Sequence, residues 1–247
     1  MNSCMQKTNF QEKYIAESEP WDYSHRAVET LRHEFIADLV RTLKPSARRV
    51  LDVGCSLGQL TTRLRGSAAE IHACDLSWTA VRKTSSACER LASHPDESTS
   101  DNGHFYFSVA SSLELPFARE TMDVILLCDG LIGWELSEQG RRGVLRSAFE
   151  ILAPGGVVVL TDYMHPRRFD SYTHEIAQSP LHIESVRYLN DRLPYQFEGW
   201  LHAFRETRFV QELIANKLLI RRLKSISSLF GKWGSKHLCV VGRKPNP

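Results

Sequence analysis

The segment VLDVGCSLGQLT, residues 50–61, constrains the fold of this chain more than any other stretch. An apolar run ends at the acidic Asp52, turns at Gly54 and Gly58, and leads directly into a helical pattern. A turn of this kind lets backbone N–H groups approach a ligand closely at the N-terminus of a helix. The dinucleotide-binding pattern G-x-G-x-x-G would have to begin at Gly54, and Ser56 breaks it. The segment therefore predicts a strand, a tight turn and a helix, with a ligand other than a dinucleotide.

Short apolar runs alternate with helical patterns along the first two thirds of the chain. An amphipathic helix is predicted over Tyr23–Leu43. The predicted strands are Arg49–Cys55, Glu70–Leu76, His104–Val109, Met122–Asp129 and Gly155–Tyr163. The predicted helices between them are Gly58–Arg65, Thr79–Ser93 and Glu138–Leu152. This alternation indicates an α/β fold, a parallel sheet with helices on both faces.

The alternation stops after Tyr163, and four regions are expected. Residues 1–46 form an N-terminal arm and helix, residues 47–163 the core, residues 164–206 a cap, and residues 207–247 a C-terminal helix and strands that complete the sheet. In the last region we expect a helix near Phe209–Asn216, an ambiguous strand near Leu218–Ile226 and a clear strand over Ser235–Arg243.

The composition excludes several classes of protein. The chain has 247 residues, of which 42% are apolar, and a formal net charge of +2, which is typical of a soluble globular domain. No apolar run approaches the ~20 residues of a membrane span, and the polar N-terminus lacks a secretory signal. Six cysteines occur without a C-x-x-C pair. We therefore expect a cytoplasmic protein without a membrane partner, with free thiols and no metal site.

Several short motifs in a fixed order resemble the class I S-adenosylmethionine-dependent methyltransferases. They are D-x-G-x-x-x-G at Asp52–Gly58, Asp75 after the second strand, LPF at Leu115–Phe117, MDVILL at Met122–Leu127 and LAPGG at Leu152–Gly156. More narrowly, EPWDY at Glu19–Tyr23 followed by GCSLGQLT resembles the nodulation-protein-S-like methyltransferases, which carry a serine where most class I enzymes have the middle glycine.

The resemblance implies a fold and an activity. The fold is a Rossmann-like seven-stranded sheet, mostly parallel with the last strand antiparallel, and a cap inserted after strand five. The cofactor is S-adenosylmethionine, with S-adenosylhomocysteine as product, and the methyl acceptor is a small molecule, with an amine nitrogen the first choice and a hydroxyl or carboxylate oxygen the second. An RNA methyltransferase and a catalytically inactive cofactor-binding partner protein remain alternatives. The oligomeric state is not predicted.

The expected cofactor contacts follow the motifs and the arm. Asp75 is expected to accept hydrogen bonds from both ribose hydroxyls. Alternatively, it is the N-cap of the next helix. Ser111 stands near the position where the class commonly has an acid for the adenine amino group. The predicted cofactor-binding residues are Trp21, Tyr23, Asp52, Gly54, Cys55, Ser56, Gly58, Asp75, Leu76, Ser111, Ser112 and Cys128.

Two residues are catalytic candidates because they follow strands at the expected ligand edge of the sheet. Asp129 would orient an amine and help to receive its proton, or it caps the next turn. His165 would act as a general base, or it is a surface histidine. Aromatic side chains that would line the acceptor pocket, or pack in the core, are Trp134, Tyr163, Tyr195 and Trp200.

The C-terminal region is basic, with no Asp or Glu after Glu212. Its cations are Lys217, Arg221, Arg222, Lys224, Lys232, Lys236, Arg243 and Lys244. They would attract RNA or an anionic substrate, or form a solvated basic face.

Overall fold

A computed structural model describes residues 10–93, 103–131 and 136–246. Seven strands form one sheet in the order β3-β2-β1-β4-β5-β7-β6. Strands β1 to β5 are paired in parallel, and β7 runs antiparallel to both of its neighbours, β5 and β6. The predicted α/β class, with a mostly parallel seven-stranded sheet and an antiparallel last strand, is confirmed.

The bounds of the elements agree with most of the predicted runs. The strands are β1 Arg49–Val53, β2 Glu70–Asp75, β3 His104–Val109, β4 Met122–Cys128, β5 Leu152–Tyr163, β6 His182–Tyr188 and β7 His237–Arg243. The helices are α1 at residues 10–16, α2 Ala27–Leu43, α3 Gln59–Arg63, α4 Trp78–Ala92, α5 Glu138–Ile151, α6 Phe169–Ala177, α7 Arg192–Leu201, α8 Arg208–Ile214 and α9 Lys217–Ser228.

The core lies on both faces of the sheet because alternate residues of a buried strand point to opposite sides. Val50 of β1 packs in a cluster with Ile36 of α2 on one face. Leu51, the next residue, packs on the other face in a cluster with Val144 of α5 and Phe169 of α6. Both β1 residues are fully buried. The first strand is thus fixed from both sides, and its carboxyl end is held rigidly where ligands bind in open α/β sheets.

The structure corrects the assignment of the C-terminal region. Residues 218–226, predicted as an ambiguous strand, lie in helix α9, whose N-cap Asn216 accepts a hydrogen bond from the backbone N–H of Leu219. Ile220 and Ser227 are buried at helical spacing, so the apolar run is one face of a helix. The sixth strand is β6, from within residues 164–206, which were predicted as cap alone. Within the described residues of 207–247, only β7 joins the sheet.

Two further expectations concern membranes and thiols. Among the described residues, no helix is both long enough and apolar enough to cross a bilayer. Cys55, Cys74, Cys88, Cys128 and Cys239 are free thiols. Cys4 lies outside the described residues.

Candidate active site

A deep cleft opens at the carboxyl ends of β1, β2 and β4. The chain crosses from one side of the sheet to the other between β1 and β4, and such a switch point is where open α/β sheets bind ligands. Together with the open solvent at its mouth, the cleft spans about 1170 Å³. The predicted cofactor-binding residues that line it are Trp21, Tyr23, Asp52, Gly54, Cys55, Ser56, Asp75, Leu76, Ser111, Ser112 and Cys128.

The two glycines of the loop after β1 have different roles. Both have φ +82, a conformation that residues with a Cβ rarely adopt. A Cβ atom at Gly54 would meet nothing within 4 Å, so the cleft has open space directly over this backbone. A Cβ atom at Gly58 would lie 3.0 Å from Thr84 Cγ2. Gly58, predicted to bind cofactor, does not line the cleft; it precedes α3 and lets α4 pack closely.

Asp75 ends β2 with its carboxylate against the glycine loop. Oδ2 accepts a hydrogen bond from the Ser56 backbone N–H at 3.1 Å, and Oδ1 accepts one from Ser77 N–H at 2.9 Å. The N-cap of α4 is Ser77, which accepts from Ala80 N–H, so the alternative of Asp75 as the cap does not apply. Burial raises the pKa of Asp75 to about 6. Each oxygen retains a lone pair for a further donor.

Asp52 is held lower in the cleft. Its carboxylate accepts a hydrogen bond from the Thr61 hydroxyl at 2.6 Å, and its pKa is also raised to about 6 by burial. The two carboxylates are hydrogen-bond acceptors, and together with the open space over Gly54 they fit the ribose and amino-acid portions of S-adenosylmethionine.

The N-terminal arm covers one side of the cleft. Tyr14 donates from its hydroxyl to Ser56 Oγ at 2.8 Å, and Trp21 Nε1 donates to the Tyr14 oxygen at 3.1 Å. Lys83 of α4 donates to three backbone carbonyls of the arm, at Tyr14, Glu17 and Ser18. Sequence reasoning missed Tyr14, which gives no motif signal and reaches the site only because the arm folds back over the loop.

Asp129 lines the cleft at the end of β4, where it was expected, but its carboxylate is already paired. Its Oδ2 lies 2.8 Å from Arg32 Nη1 and its Oδ1 lies 3.4 Å from His237 Nε2. These two cations hold the pKa of Asp129 well below its usual range although the group is buried. A carboxylate with so low a pKa is a poor proton acceptor, so the expectation that Asp129 helps to receive a proton is not supported by its surroundings.

The ion pairs extend behind the cleft as a charged cluster that the sequence did not reveal. His237 Nδ1 lies 2.6 Å from Asp191 Oδ2, and the two carboxylates on either side of the ring raise the pKa of His237 to about 9 despite its burial. Arg32 Nη2 lies 2.8 Å from Glu29 Oε2. Glu29 also accepts a hydrogen bond from the Tyr195 hydroxyl. The cluster ties helices α2 and α7 to strand β7.

His33 is the histidine that lines the cleft among the described residues. It is buried beside Arg32, and the desolvation and the neighbouring cation lower its pKa to about 3. Its ring packs edge-on against Tyr23, with centroids 5.6 Å apart. The imidazole is therefore neutral at physiological pH and is a weak base.

Several predicted catalytic and acceptor residues lie away from the cleft. His165 is exposed and accepts a hydrogen bond from the Arg167 backbone N–H. Tyr163 packs against the rings of Tyr195 and His237. Trp200 is 75% exposed on the surface of α7. Trp134 lies outside the described residues.

The cations of the basic C-terminal region are partly paired within the chain. Four of its cations pair with acids elsewhere in the chain, as Lys217–Glu34, Lys232–Asp170, Arg243–Glu184 and Lys244–Glu120. These pairs favour the solvated-face interpretation over an RNA-binding surface.

Part of the chain matches a known family. Residues 50–156 match the family described as methyltransferase domain. Over 118 residues the chain is 34% identical to the erythromycin 3''-O-methyltransferase of Saccharopolyspora erythraea, which covers 46% of this chain and 34% of that protein. Over 124 residues it is 28% identical to the demethylmenaquinone methyltransferase of Tropheryma whipplei, covering 50% of this chain and 45% of that one. The matches thus span less than half the length of these relatives.

Solved structures share the whole fold. The N-methyltransferase NodS of Bradyrhizobium japonicum in complex with S-adenosylhomocysteine is similar with a TM-score of 0.63 and 16% identity, over 97% of this chain and 99% of that chain. The [4+2]-cyclase SpnF is similar with a TM-score of 0.60 and 19% identity, over 87% and 81%. At such identities the likeness shows the fold.

The motifs, the sheet order and the family match all point to a methyltransferase. Residues 50–156 match a methyltransferase domain, and the chain has the fold of the NodS structure. The predicted resemblance to the class I methyltransferases is confirmed.

Proposed function

We propose that this protein transfers the methyl group of S-adenosylmethionine to the nitrogen of a small-molecule amine. The observation that carries the proposal is the cleft itself, which is lined by the open backbone at Gly54, by the buried carboxylate of Asp75 and by Tyr14 and Trp21 of the arm. Asp75 would accept hydrogen bonds from the ribose hydroxyls, and the loop from Gly54 to Ser56 would hold the amino-acid portion. Ser111 and Ser112 would contact the adenine.

The cofactor, when bound, supplies a methyl group on a sulfonium that is already an activated leaving group. The chain's task is therefore chiefly to align the acceptor and to exclude water. Correct alignment can lower a barrier by roughly 7 to 11 kcal/mol, whereas a general base contributes a factor of about 10² to 10⁴. The arm, through Tyr14 and Trp21, covers the loop and shields the reacting groups.

The polar groups of the cleft support a nitrogen acceptor. An alcohol must give up its proton to become a good nucleophile. Apart from Asp52 and Asp75, which would hold the cofactor, the described lining residues supply poor bases for that step. His33 has a pKa of about 3, and the pKa of Asp129 is held low by its cations. Burial raises the pKa of Tyr23, so its phenol stays protonated. An amine can lose its proton to solvent before it binds, and the neutral amine then carries a free lone pair and needs no base from the protein.

Oxygen is the second candidate. It is favoured by the 34% identity to a relative described as an O-methyltransferase. A carboxylate oxygen is ionised at neutral pH and, like an amine, needs no base.

Mass spectrometry of reactions with S-adenosylmethionine tests the proposal. Purified protein is incubated with panels of primary amines, alcohols and carboxylic acids, with Asp75→Ala as the inactive variant and Asp170→Ala, at an exposed ion pair, as the matched control. We expect methylated amines from the wild type and the control and none from Asp75→Ala. Methylation of acids or alcohols alone would show that the acceptor atom is oxygen and not nitrogen. Absence of product in every panel, with S-adenosylhomocysteine bound, would contradict the proposed activity.

A further inference from the structure

The outer face of helix α9 carries apolar side chains that the fold leaves exposed. Ile220 and Ser227 of this helix are buried against the rest of the protein. Leu218 is 60% exposed, Ile226 is 49% exposed, and Leu229, which caps the helix, is 81% exposed. Spacings of eight and three residues, as between these side chains, keep to one face of a helix. The three side chains therefore form one apolar row, the α9 stripe, on the side of the helix that points away from the protein.

Two exposed arginines accompany the α9 stripe. Arg222 lies four residues from both Leu218 and Ile226, so it shares their face of the helix. Arg221 lies three residues from Leu218 and flanks the stripe. The lysines near the two ends of the helix are paired with acids, but among the described residues no acid forms an ion pair with either arginine. The apolar side chains of the stripe thus stand beside two positive charges.

A basic groove runs beside the α9 stripe, between α9, α2 and the end of strand β6. Leu31 and Phe35 of α2 line it with apolar side chains. Arg187 of β6 lines it together with Arg221 and Lys224 of α9. Within the part of the chain that the structure describes, no Asp or Glu lines this groove. Three cations without an acidic neighbour in the groove favour an anionic group as its ligand.

The charges and the side chains of this surface indicate its partner. The aliphatic stripe offers no rings on which RNA bases could stack. A second copy of the chain, related by a two-fold axis through the stripe, would place Arg222 near its own counterpart, and like charges repel. A bilayer of anionic lipid suits both parts of the surface, because apolar side chains enter the boundary between headgroups and acyl chains while cations stay among the phosphates. Phe230 and Trp233, which follow the stripe and are exposed, are also typical of surfaces that lie in this boundary.

We propose that the outer face of α9 binds the surface of an anionic membrane. The α9 stripe enters the boundary between headgroups and acyl chains, Arg222 contacts lipid phosphates beside it, and the basic groove receives a headgroup. This is a contact with the surface of the bilayer and not a span across it. It departs from the expectation that the chain has no membrane partner, which rested on the lack of a long apolar run in the sequence. It does not depend on which acceptor is methylated.

Co-sedimentation of the full chain with lipid vesicles tests the proposal. One set of vesicles contains equal parts of phosphatidylcholine and anionic phosphatidylglycerol, and the other contains phosphatidylcholine alone. Leu218→Ser/Leu229→Ser removes two side chains of the stripe, and Arg221→Gln/Arg222→Gln removes its two charges. All four positions are exposed, so both variants should fold, which circular dichroism checks. We expect wild type to bind the anionic vesicles and not the neutral ones, and each double variant to bind the anionic vesicles at least about tenfold more weakly.

Two control variants make matched changes elsewhere on the surface. Ile15→Ser/Val109→Ser removes two exposed apolar side chains, from α1 and from β3, which lies at the opposite edge of the sheet from β6. Arg90→Gln/Arg146→Gln removes two exposed positive charges, from α4 and α5, and so changes the net charge by the same amount as the arginine variant of α9. We expect both controls to bind anionic vesicles within about twofold of wild type.

Several results would overturn the proposal. Folded wild type that does not sediment with anionic vesicles, or that binds neutral vesicles equally well, has no anionic membrane site. Unchanged binding in the leucine variant would leave only a general attraction between opposite charges, and an equal loss in the control variants would show that the contact is not at α9. Analytical ultracentrifugation supplies the last comparison. A wild-type dimer that Leu218→Ser/Leu229→Ser converts to a monomer would make this face an interface between copies of the chain instead of a membrane site.

Discussion

The guanidinium of Arg32 lies 2.8 Å from the carboxylate of Asp129, joining helix α2 to the end of strand β4 at the wall of the cofactor cleft. Arg32 is 2% exposed and also pairs with Glu29, so the contact is removed from water. A buried pair of this kind strongly resists the loss of one partner, because the other is left as an uncompensated charge. The pair therefore holds helix α2, and the arm before it, over the ligand edge of the sheet.

Substitution of Asp129 by asparagine tests this relationship. Asparagine keeps the shape and tolerates the φ of +54 at this position, so the loss of charge is the main change. We expect the free energy of unfolding to fall by about 3 to 5 kcal/mol and turnover to slow, with S-adenosylhomocysteine affinity little changed. Denaturant unfolding, a methyl-transfer assay and calorimetry measure the three quantities. Asp170→Asn, which removes an exposed ion pair, is the control and should cost less than about 1 kcal/mol. Equal losses in both variants would contradict the role of the pair.

The pH dependence of stability should report on His237. Its folded pKa of about 9 lies above its usual value of 6.5, so the native state binds the proton more tightly than the unfolded state. The resulting stabilisation is fully present below pH 6.5 and is lost as the pH rises through about 9, for a total of about 3 kcal/mol. We expect wild type to lose stability over this interval and His237→Gln to show a flatter profile. Parallel profiles for the two proteins would show that the His237 proton does not stabilise the fold.

The cofactor loop could be predicted because its signals are local. Gly54 and Gly58 lie within a few residues of each other. Both have a positive φ, and glycine is the residue type that adopts a positive φ readily. Asp75 follows a buried strand directly, and parallel strands bring their carboxyl ends to one edge. The order of such local signals was sufficient for the fold and for most of the cleft.

The charged cluster could not be predicted because it is built from distant parts of the chain. Arg32, Asp129 and His237 come from α2, from the end of β4 and from β7, and no spacing in the sequence relates them. Residues 218–226 were predicted as a strand but lie in helix α9, and this error has a similar origin. A short apolar run with basic residues suits either element, and the packing of Ile220 against α2 decides it.

Removal of the Asp75 carboxylate should weaken cofactor binding. Asp75→Ala removes the acceptor for the ribose hydroxyls and leaves the Ser56 and Ser77 backbone N–H groups without their present partner. We expect S-adenosylhomocysteine affinity to fall by about 1.5 to 3 kcal/mol, the scale of hydrogen bonds to a charged group. Calorimetry on a variant shown to be folded by circular dichroism measures this loss. An unchanged dissociation constant would show that Asp75 does not contact the cofactor.

Acid should weaken the same interaction in the wild type. The pKa values of Asp52 and Asp75 are both about 6 in the free protein, because burial disfavours their charged forms. Protonation removes acceptor lone pairs, so cofactor affinity should be full above pH 7 and fall as the pH decreases through about 6. Titrations with S-adenosylhomocysteine between pH 5 and 8 measure the profile, and Asp75→Asn should flatten it. The same pH dependence in that variant would assign the titration to other groups.

Gly54 and Gly231 offer a matched pair for separating backbone strain from ligand contact. Both have positive φ, +82 and +53, and a Cβ atom at either would meet nothing within 4 Å. Alanine should therefore cost each variant a similar strain of roughly 1 to 2 kcal/mol in the free energy of unfolding. Only Gly54 lines the cleft, so only Gly54→Ala places a methyl group in the space that the cofactor would fill. We expect Gly54→Ala to lose S-adenosylhomocysteine affinity at least about tenfold while Gly231→Ala binds as wild type. Equal affinity in the two variants would mean that the open space over Gly54 is not where the cofactor binds.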